Sequence, residues 1–407
     1  MPPEQHCPGA SGPLNDIRVL DFGTFISGTF SAMLMGDMGA DAIKVEPLFG
    51  DPARTVGPFL KGESHYFQGM NRNKRSIAVD MSSDAGREIV YELVRGADVL
   101  TENFRPGVMK KLKLDYETLR KINPRLIYSS TTGFGSRGPL KDHPAYDGIL
   151  QAMSGISALN AVSCGRVATG MILCVDFNAT MLALSSILAA LYHREKTNEG
   201  QLVETSLLQS SLALQAPESV VALDAEKEGT LGACPYRLFE TSDGGIFVGA
   251  TQDKFWRGLC DAIERPDLGD DAKYATNPKR VQHMWELFEK LEPVFRTKTS
   301  AEWERRLLAN DVPCGIVYTY EDFFLRNPQV QFMEMNPIIE HPTIGRMHVV
   351  GVPFNFEKTP GAIQRPAPLL GQHTEEILRE IGFNSARIGE LLEHKVVKSA
   401  GKPPPVQ

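Results

Sequence analysis

The sequence predicts an α/β fold: a doubly wound parallel sheet forming a large domain, joined to a smaller α+β domain. Two observations carry this. Short apolar runs alternate with helical patterns through the first half, the signature of strand-helix-strand crossovers. Near residue 217 the pattern changes to a hairpin followed by a run of helices. The expected boundaries are a disordered leader over 1–15, the first part of the large domain over 16–216 and the small domain over 217–330. A linker and C-terminal segment over 331–407 then returns to the large domain.

IRVLDFG (Ile17 to Gly23) reads as the first buried strand and FSAMLMGDMG as the helix after it. DAIKVE (Asp41 to Glu46) is the second strand and RSIAVDM the third, with DAGREIVYELVRG helical behind it. ADVLTEN is a strand, YETLRKINP a helix and RLIYSSTTG a strand again. NATMLALSSILAALYHREKT, from about Phe177, is a long apolar helix with a charged last turn, and ETSLLQSSLALQ a second helix. PYRLFETSDGGIFVGA (Pro235 to Ala250) is a hairpin around a Ser-Asp-Gly-Gly turn. Helices follow from Lys254 to about Ala309, then the strand DVPCGIVYT. The Pro-rich tail is expected to run extended over another domain or subunit before one last helix.

Composition excludes several function classes. With 42% hydrophobic and 23% charged residues the chain is ordinary for a globular protein. A net charge of -7 argues against nucleic acid as partner. No long uncharged apolar run or basic-then-apolar leader is read, so no membrane association and a cytosolic location are expected. The six cysteines, Cys7, Cys164, Cys174, Cys234, Cys260 and Cys314, include no C-x-x-C pair. They are expected to be reduced core thiols, and no metal site is predicted.

GFGSRG (Gly133 to Gly138) spells a dinucleotide fingerprint directly after a strand. The fingerprint requires a helix to begin at its last glycine. Here Pro139 follows, then a turn-rich loop with Pro144, so the nicotinamide reading fails. The glycines still suit a loop that approaches a ligand at the carboxyl edge of a sheet.

Two features point to chemistry. Asp176 stands among apolar residues in MILCVDFNAT, just before the long helix. A carboxylate there is partly desolvated, while helix amides favour its ionised form. It reads either as a helix N-cap or as a catalytic group, and the two are compatible. NRNKRS (Asn71 to Ser76) and NFRPGVMKKLKL (Asn103 to Leu114) place two basic segments beside strands, either as solvated surface or as a polyphosphate site.

VLDFGTFISGTFSAMLMGDMGADAIKVEP, YFQGMNRNKRSIAVDM, ADVLTENFRPGVM, NPRLIYSSTTGFGSRGP, AYDGILQAMSGI and LAALYHREKTNEGQLVETSLL together resemble the class III coenzyme A transferases, as do PYRLFETSDGGIFVGA and PLLGQHTEEIL. The likeness spans about residues 15–395. It implies that GFGxxGP borders a coenzyme A site and that the protein is an interlocked dimer, which would account for the extended tail. It further implies that Asp176 is a nucleophile, already anionic and in need of no general base, acting through aspartyl anhydride and aspartyl-CoA thioester intermediates. The CoA thioester is then a substrate, and no resident cofactor is expected. The partners implied are an acyl-CoA donor and a carboxylic acid acceptor.

The resemblance carries CoA contacts onto Ile26 and Ser27 after the first strand, onto Asn73, Lys74 and Arg75 beside the phosphates, and onto Asn103, Phe104 and Lys111 around the nucleotide and pantetheine. Tyr146 is placed near the thioester. The related α-methylacyl-CoA racemases use a His in the AYD segment, where this chain has Ala145 and Tyr146. Racemase is therefore the alternative, together with a non-catalytic subunit of a heteromeric transferase. The glycine-rich loop of the oxalate-type enzymes has no counterpart between Ala216 and Pro235, which favours a larger acid, such as a dicarboxylate with succinyl-CoA as donor.

Overall fold

The computed structural model describes residues 12–164, 167–220 and 232–400. They form two compact units, the larger built from 1–158, 167–219 and 329–407 and the smaller from 159–166 and 220–328.

The larger unit holds a seven-stranded sheet. Its parallel strands are β1 (Arg18–Asp21), β2 (Asp41–Glu46), β3 (Lys74–Val79), β4 (Val99–Glu102), β5 (Ile127–Thr132) and β6 (Leu202–Ser206). They lie in the order β3-β2-β1-β4-β5-β6, and Val397–Lys398 adds an antiparallel edge beside β3. The order reverses beside β1, so the loops after β1 and β4 splay apart at their carboxyl ends. Open α/β sheets bind ligands in that crevice.

Alternation along the strands buries both sheet faces, as a parallel sheet requires. Val19, Ala42, Val99 and Ile127 pack with α1 (Phe30–Asp37) and the long helix. Leu20, Ile43, Ile77, Leu100 and Tyr128 pack on the opposite face with α2 (Asp84–Arg95) and the C-terminal helices. Two further helices shape the site: α3 (Asp147–Met153) and the long α4 (Cys174–Thr197). α4 has the length and apolar character of a membrane span. Val175, Ala179, Ala183, Ile187 and Ala190 are nevertheless buried along it, which makes it a core helix.

Several boundaries depart from expectation. Glu204 to Ser206 were assigned to a helix but extend β6, where Thr205 and Ser206 pair with Thr131 and Thr132. α5 (Leu207–Leu214) begins only after Ser206, whose hydroxyl accepts from the Gln209 amide at 3.1 Å as N-cap. The tail ends in two helices, Thr374–Glu380 and Ser385–Glu393, rather than one. Its extended part lies along the larger unit of its own chain. Asn73 donates to the Ala362 carbonyl at 2.7 Å and accepts from the Gln364 amide at 2.7 Å, and Arg72 reaches the carbonyls of Val350 and Gly351.

The smaller unit contains β7 (Tyr236–Glu240), β8 (Gly245–Gly249), α6 (Asp253–Ala262), α7 (Met284–Phe295), α8 (Ser300–Ala309) and β9 (Cys314–Ile316). Its strands form an antiparallel sheet in the order β9-β8-β7. Its core is aromatic: Phe239 stacks on Phe295 at 4.4 Å, and the Trp303 indole donates to the Phe295 carbonyl at 2.7 Å.

A buried charge network underlies the crevice. Asp21, ending β1, is wholly buried; its Oδ2 lies 2.7 Å from Lys74 Nζ and 3.4 Å from Lys44 Nζ. Lys44 also donates to the Gly23 carbonyl at 2.6 Å and Lys74 to the Thr29 carbonyl at 2.7 Å, so the two ammonium groups grip both ends of the loop after β1. Asp21→Ala would leave both lysines buried without their shared carboxylate. The expected cost is about 3–5 kcal/mol, measured by chemical denaturation. Wild-type stability in that variant would show that the network does not hold the loop.

Candidate active site

A cavity of about 400 Å³ opens at the carboxyl ends of β1, β4 and β5, and Asp176 lines it together with Ser27, Asn103, Phe104, Tyr146 and Asp147. The loop after β1 enters it through close backbone packing. A Cβ on Gly23 would lie 2.4 Å from the Gly28 carbonyl carbon, and one on Gly28 would lie 2.8 Å from the Asn103 side chain. Asn103 binds this loop as a strand partner would. Its Oδ1 accepts from the Thr24 amide at 2.8 Å and its Nδ2 donates to the Thr24 carbonyl at 2.8 Å and to Ser27 Oγ at 3.1 Å. Ser27, so held, lines the cavity beside Asp176 and favours its anion.

The glycine motif after β5 has a packing role beside the cavity. A Cβ on Gly133 would lie 2.3 Å from the Ala145 Cβ, so only glycine lets the loop fold back on the segment carrying Tyr146 and Asp147. No helix follows Gly138, as the prolines dictate.

Asp176 stands at the third position of α4, whose N-cap is Leu173, and so is not itself the cap. The first-turn amides of Val175 and Asp176 donate to Asp147 Oδ2 at 2.8 and 3.0 Å. Ser210 fixes the same turn by donating to the Val175 carbonyl at 2.7 Å. Burial pushes the Asp176 carboxyl up to about 7; the Asp147 charge adds to the rise and the Ser27 hydrogen bond opposes it. Of the two opposing effects expected on Asp176, desolvation dominates, because the helix amides expected to favour its ionised form are engaged by Asp147. Tyr66, also on the cavity wall, is held protonated by burial and by the same carboxylates.

Of the other expected contacts, Ser27, Asn103, Phe104 and Tyr146 converge on the cavity, Tyr146 at 69% exposure. Ile26 lies behind it, 1% exposed, its carbonyl accepting from the amides of Thr29 and Phe30. Lys111 is an exposed residue ending the short helix Val108–Lys111. The assignment of Asn73, Lys74 and Arg75 to phosphate contact is corrected, since all three side chains are buried and engaged within the protein. Asn73 clasps the tail and Lys74 bridges Asp21 to Thr29. Arg75 pairs with Asp41 at 2.7 Å and Glu380 at 2.5 Å, at the amino end of the sheet and away from the crevice.

A second cavity of about 400 Å³ continues beyond Thr24 and Phe104, which line both. Val45, Leu48, Phe49, Met81 and Leu112 give it largely apolar walls. Sequence reasoning missed this pocket, along with Asp147, Tyr66, Lys141 and His143 in the first. Asp147 had a visible signal, an acidic residue opening a helix directly after Tyr146. Among the described residues no cluster of His, Cys, Asp and Glu could hold a metal. Burial holds the thiols of Cys234 and Cys260 up at about 12, as suits core cysteines. Cys7 and the Cys164 side chain fall outside the described residues, as does most of the expected leader.

The sequence is 36% identical over 410 residues to the Mus musculus protein named succinyl-CoA:glutarate CoA-transferase, covering 97% of this chain and 92% of that one. It is 33% identical to the succinyl-CoA–L-malate CoA-transferase beta subunit of Chloroflexus aurantiacus, over 95% of this chain and 98% of that one. The crystal structure of Rv3272 from Mycobacterium tuberculosis superposes with a TM-score of 0.80 at 29% identity, covering 91% of this chain and 100% of that one. Residues 14–374 match the family described as CoA-transferase family III. A parallel sheet with its crevice beside β1, a partly desolvated aspartate in that crevice and full-length likeness to such transferases agree: the chain belongs to CoA-transferase family III.

Proposed function

We propose that this protein moves coenzyme A from an acyl-CoA, succinyl-CoA in the first instance, to a dicarboxylic acid, with Asp176 as the covalent nucleophile. The observation that carries this is a desolvated carboxylate lining a cavity at the switch point of the sheet. Similarity to enzymes named for succinyl-CoA with glutarate or malate supports the substrates. Arg105 and Lys141 on the cavity wall supply cations for an acid's distal carboxylate or for CoA phosphates. The nucleotide end of CoA is assigned to the second, apolar cavity, past Phe104 and towards Lys111.

The chemistry follows from the residues. A carboxylate oxygen of Asp176 attacks the thioester carbonyl, the C–S bond breaks, and an aspartyl-acyl anhydride and CoA thiolate result. The thiolate attacks the aspartyl carbonyl, releasing the donor acid and leaving an aspartyl-CoA thioester. The acceptor carboxylate attacks that thioester and expels the thiolate. Thiolate attack on the acceptor's carbonyl then releases the new acyl-CoA and free Asp176. No net proton or electron is exchanged, so the pathway needs neither a general base nor a resident cofactor. Burial of Asp176 suits it, because water reaching an anhydride would hydrolyse it.

The doubly wound arrangement and the interlocked dimer belong to this proposal. Helices on both sheet faces support the first. For the second, Phe332 and Met333 at the end of the helix Pro328–Phe332 and Val350 on the tail are exposed apolar residues that a partner would cover. A homodimer is the working assembly, and the relative named as a beta subunit keeps a related second chain as the alternative. His143 on the cavity wall gives the racemase alternative one specific point in its favour.

Incubation with succinyl-CoA and hydroxylamine, followed by peptide mass spectrometry, is expected to give a hydroxamate on the peptide containing Asp176, and Asp176→Ala should abolish transfer. An unmodified Asp176 with α-proton exchange in deuterium oxide would instead establish racemisation. Because the protonated acid is not nucleophilic, kcat should rise with pH through about 7 and level off above it. Ser27→Ala removes a hydrogen bond that favours the anion, so its rise should lie at higher pH. A wild-type profile flat across neutrality would contradict the assigned ionisation.

A further inference from the structure

Asp147 opens α3, is 2% exposed and accepts three hydrogen bonds from within this chain. Its Oδ1 accepts from Gln151 Nε2 at 2.5 Å, and Gln151 in turn is fixed by the Gly170 amide at 2.9 Å. Its Oδ2 accepts the amides of Val175 and Asp176. Those are the donors that a side chain at the N-cap of α4 would satisfy, and Leu173 at that position has nothing to offer. Without Asp147, a flexible carboxylate at the third helical position could turn back on its own first turn.

We propose that Asp147 is a positioning residue for the nucleophile: by capping α4 from a neighbouring helix it leaves the Asp176 carboxylate no amide of its own turn to bind, and so keeps it turned to the cavity and Ser27. It also offsets the positive end of α4, which would otherwise make Asp176 a weaker nucleophile. The inference rests on Asp176 being the nucleophile. The other groups around Asp176 are Tyr66, from the helix His65–Met70, and Arg105, Lys141, His143 and Tyr146 on the wall, with Cys174 on its own helix. Of the charges among these elements, that of Asp147 is the one raising Asp176.

The test compares Asp147→Ala, Asp147→Asn and Asp176→Ala in the full-length protein with succinyl-CoA and glutarate. Asp147→Ala is expected to lower kcat about 100-fold with KM for succinyl-CoA within about threefold of wild type, a loss of orientation rather than of binding. Asp147→Asn keeps an oxygen that can accept both amides but removes the charge. It should recover most of that loss and move the midpoint of the kcat profile to lower pH. An alanine variant within about threefold of wild-type kcat would overturn the proposal. So would an asparagine variant as impaired as alanine with its midpoint unmoved. If the alanine variant does not fold, the midpoint of the asparagine variant decides: a downward shift supports the proposal and none overturns it. Activity in Asp176→Ala would refute the nucleophile assignment itself, separately from the role of Asp147.

Discussion

Two lysines converge on one carboxylate beneath the crevice, and the geometry of the site descends from that contact. Asp21 ends β1 with no exposure, and Lys44 and Lys74 reach it from β2 and β3 while gripping the backbone at both ends of the loop that follows. Four buried charges, counting Asp51 at 3.0 Å from Lys44, are costly unless paired, so this loop has little freedom to adopt another course. On it sit Gly23 and Gly28 in backbone contact, Thr24 in the clasp of Asn103, and Ser27 facing Asp176. Short hydrogen bonds thus run from the buried ion pair through the loop and Asn103 to Ser27, beside the nucleophile.

The electrostatics of Asp176 reflect a compromise. A carboxylate in water is a poor nucleophile because it is well hydrated and weakly basic. Burial raises its basicity, and the Ser27 hydrogen bond limits the rise so that the anion is still populated near neutrality. Asp147 engages the helix amides that would have stabilised the anion further. The arrangement thus removes stabilisation from the ground state without adding a base that the chemistry does not require.

Much of this was legible in the sequence, for physical reasons. Strands β1 to β5 announced themselves because both sheet faces are buried, which leaves continuous apolar runs. Asp176 stood out as a charge amid Ile172, Leu173, Val175 and Phe177. Ser27, Asn103, Phe104 and Tyr146 were legible through the family resemblance alone, and all four line the cavity. What failed depended on distant partners. Lys74 and Arg75 look like phosphate ligands until Asp21, Asp41 and Glu380 are seen around them, the last of these 305 residues away. The capping of α4 escaped notice because its acceptor lies 29 residues upstream on another helix, where no local motif records it.

The central claim is that an oxygen of Asp176 enters the product chemistry, and labelled oxygen tests it most directly. With an acceptor acid carrying heavy oxygen in its carboxylates, each turnover leaves one acceptor oxygen on Asp176 while an aspartate oxygen departs in the donor acid. After many turnovers the peptide containing Asp176 should be heavier by two labelled oxygens, with every other acidic peptide unlabelled. Product formed at the full rate with an unlabelled Asp176 would contradict the account, because CoA would then have been transferred without passing through this residue.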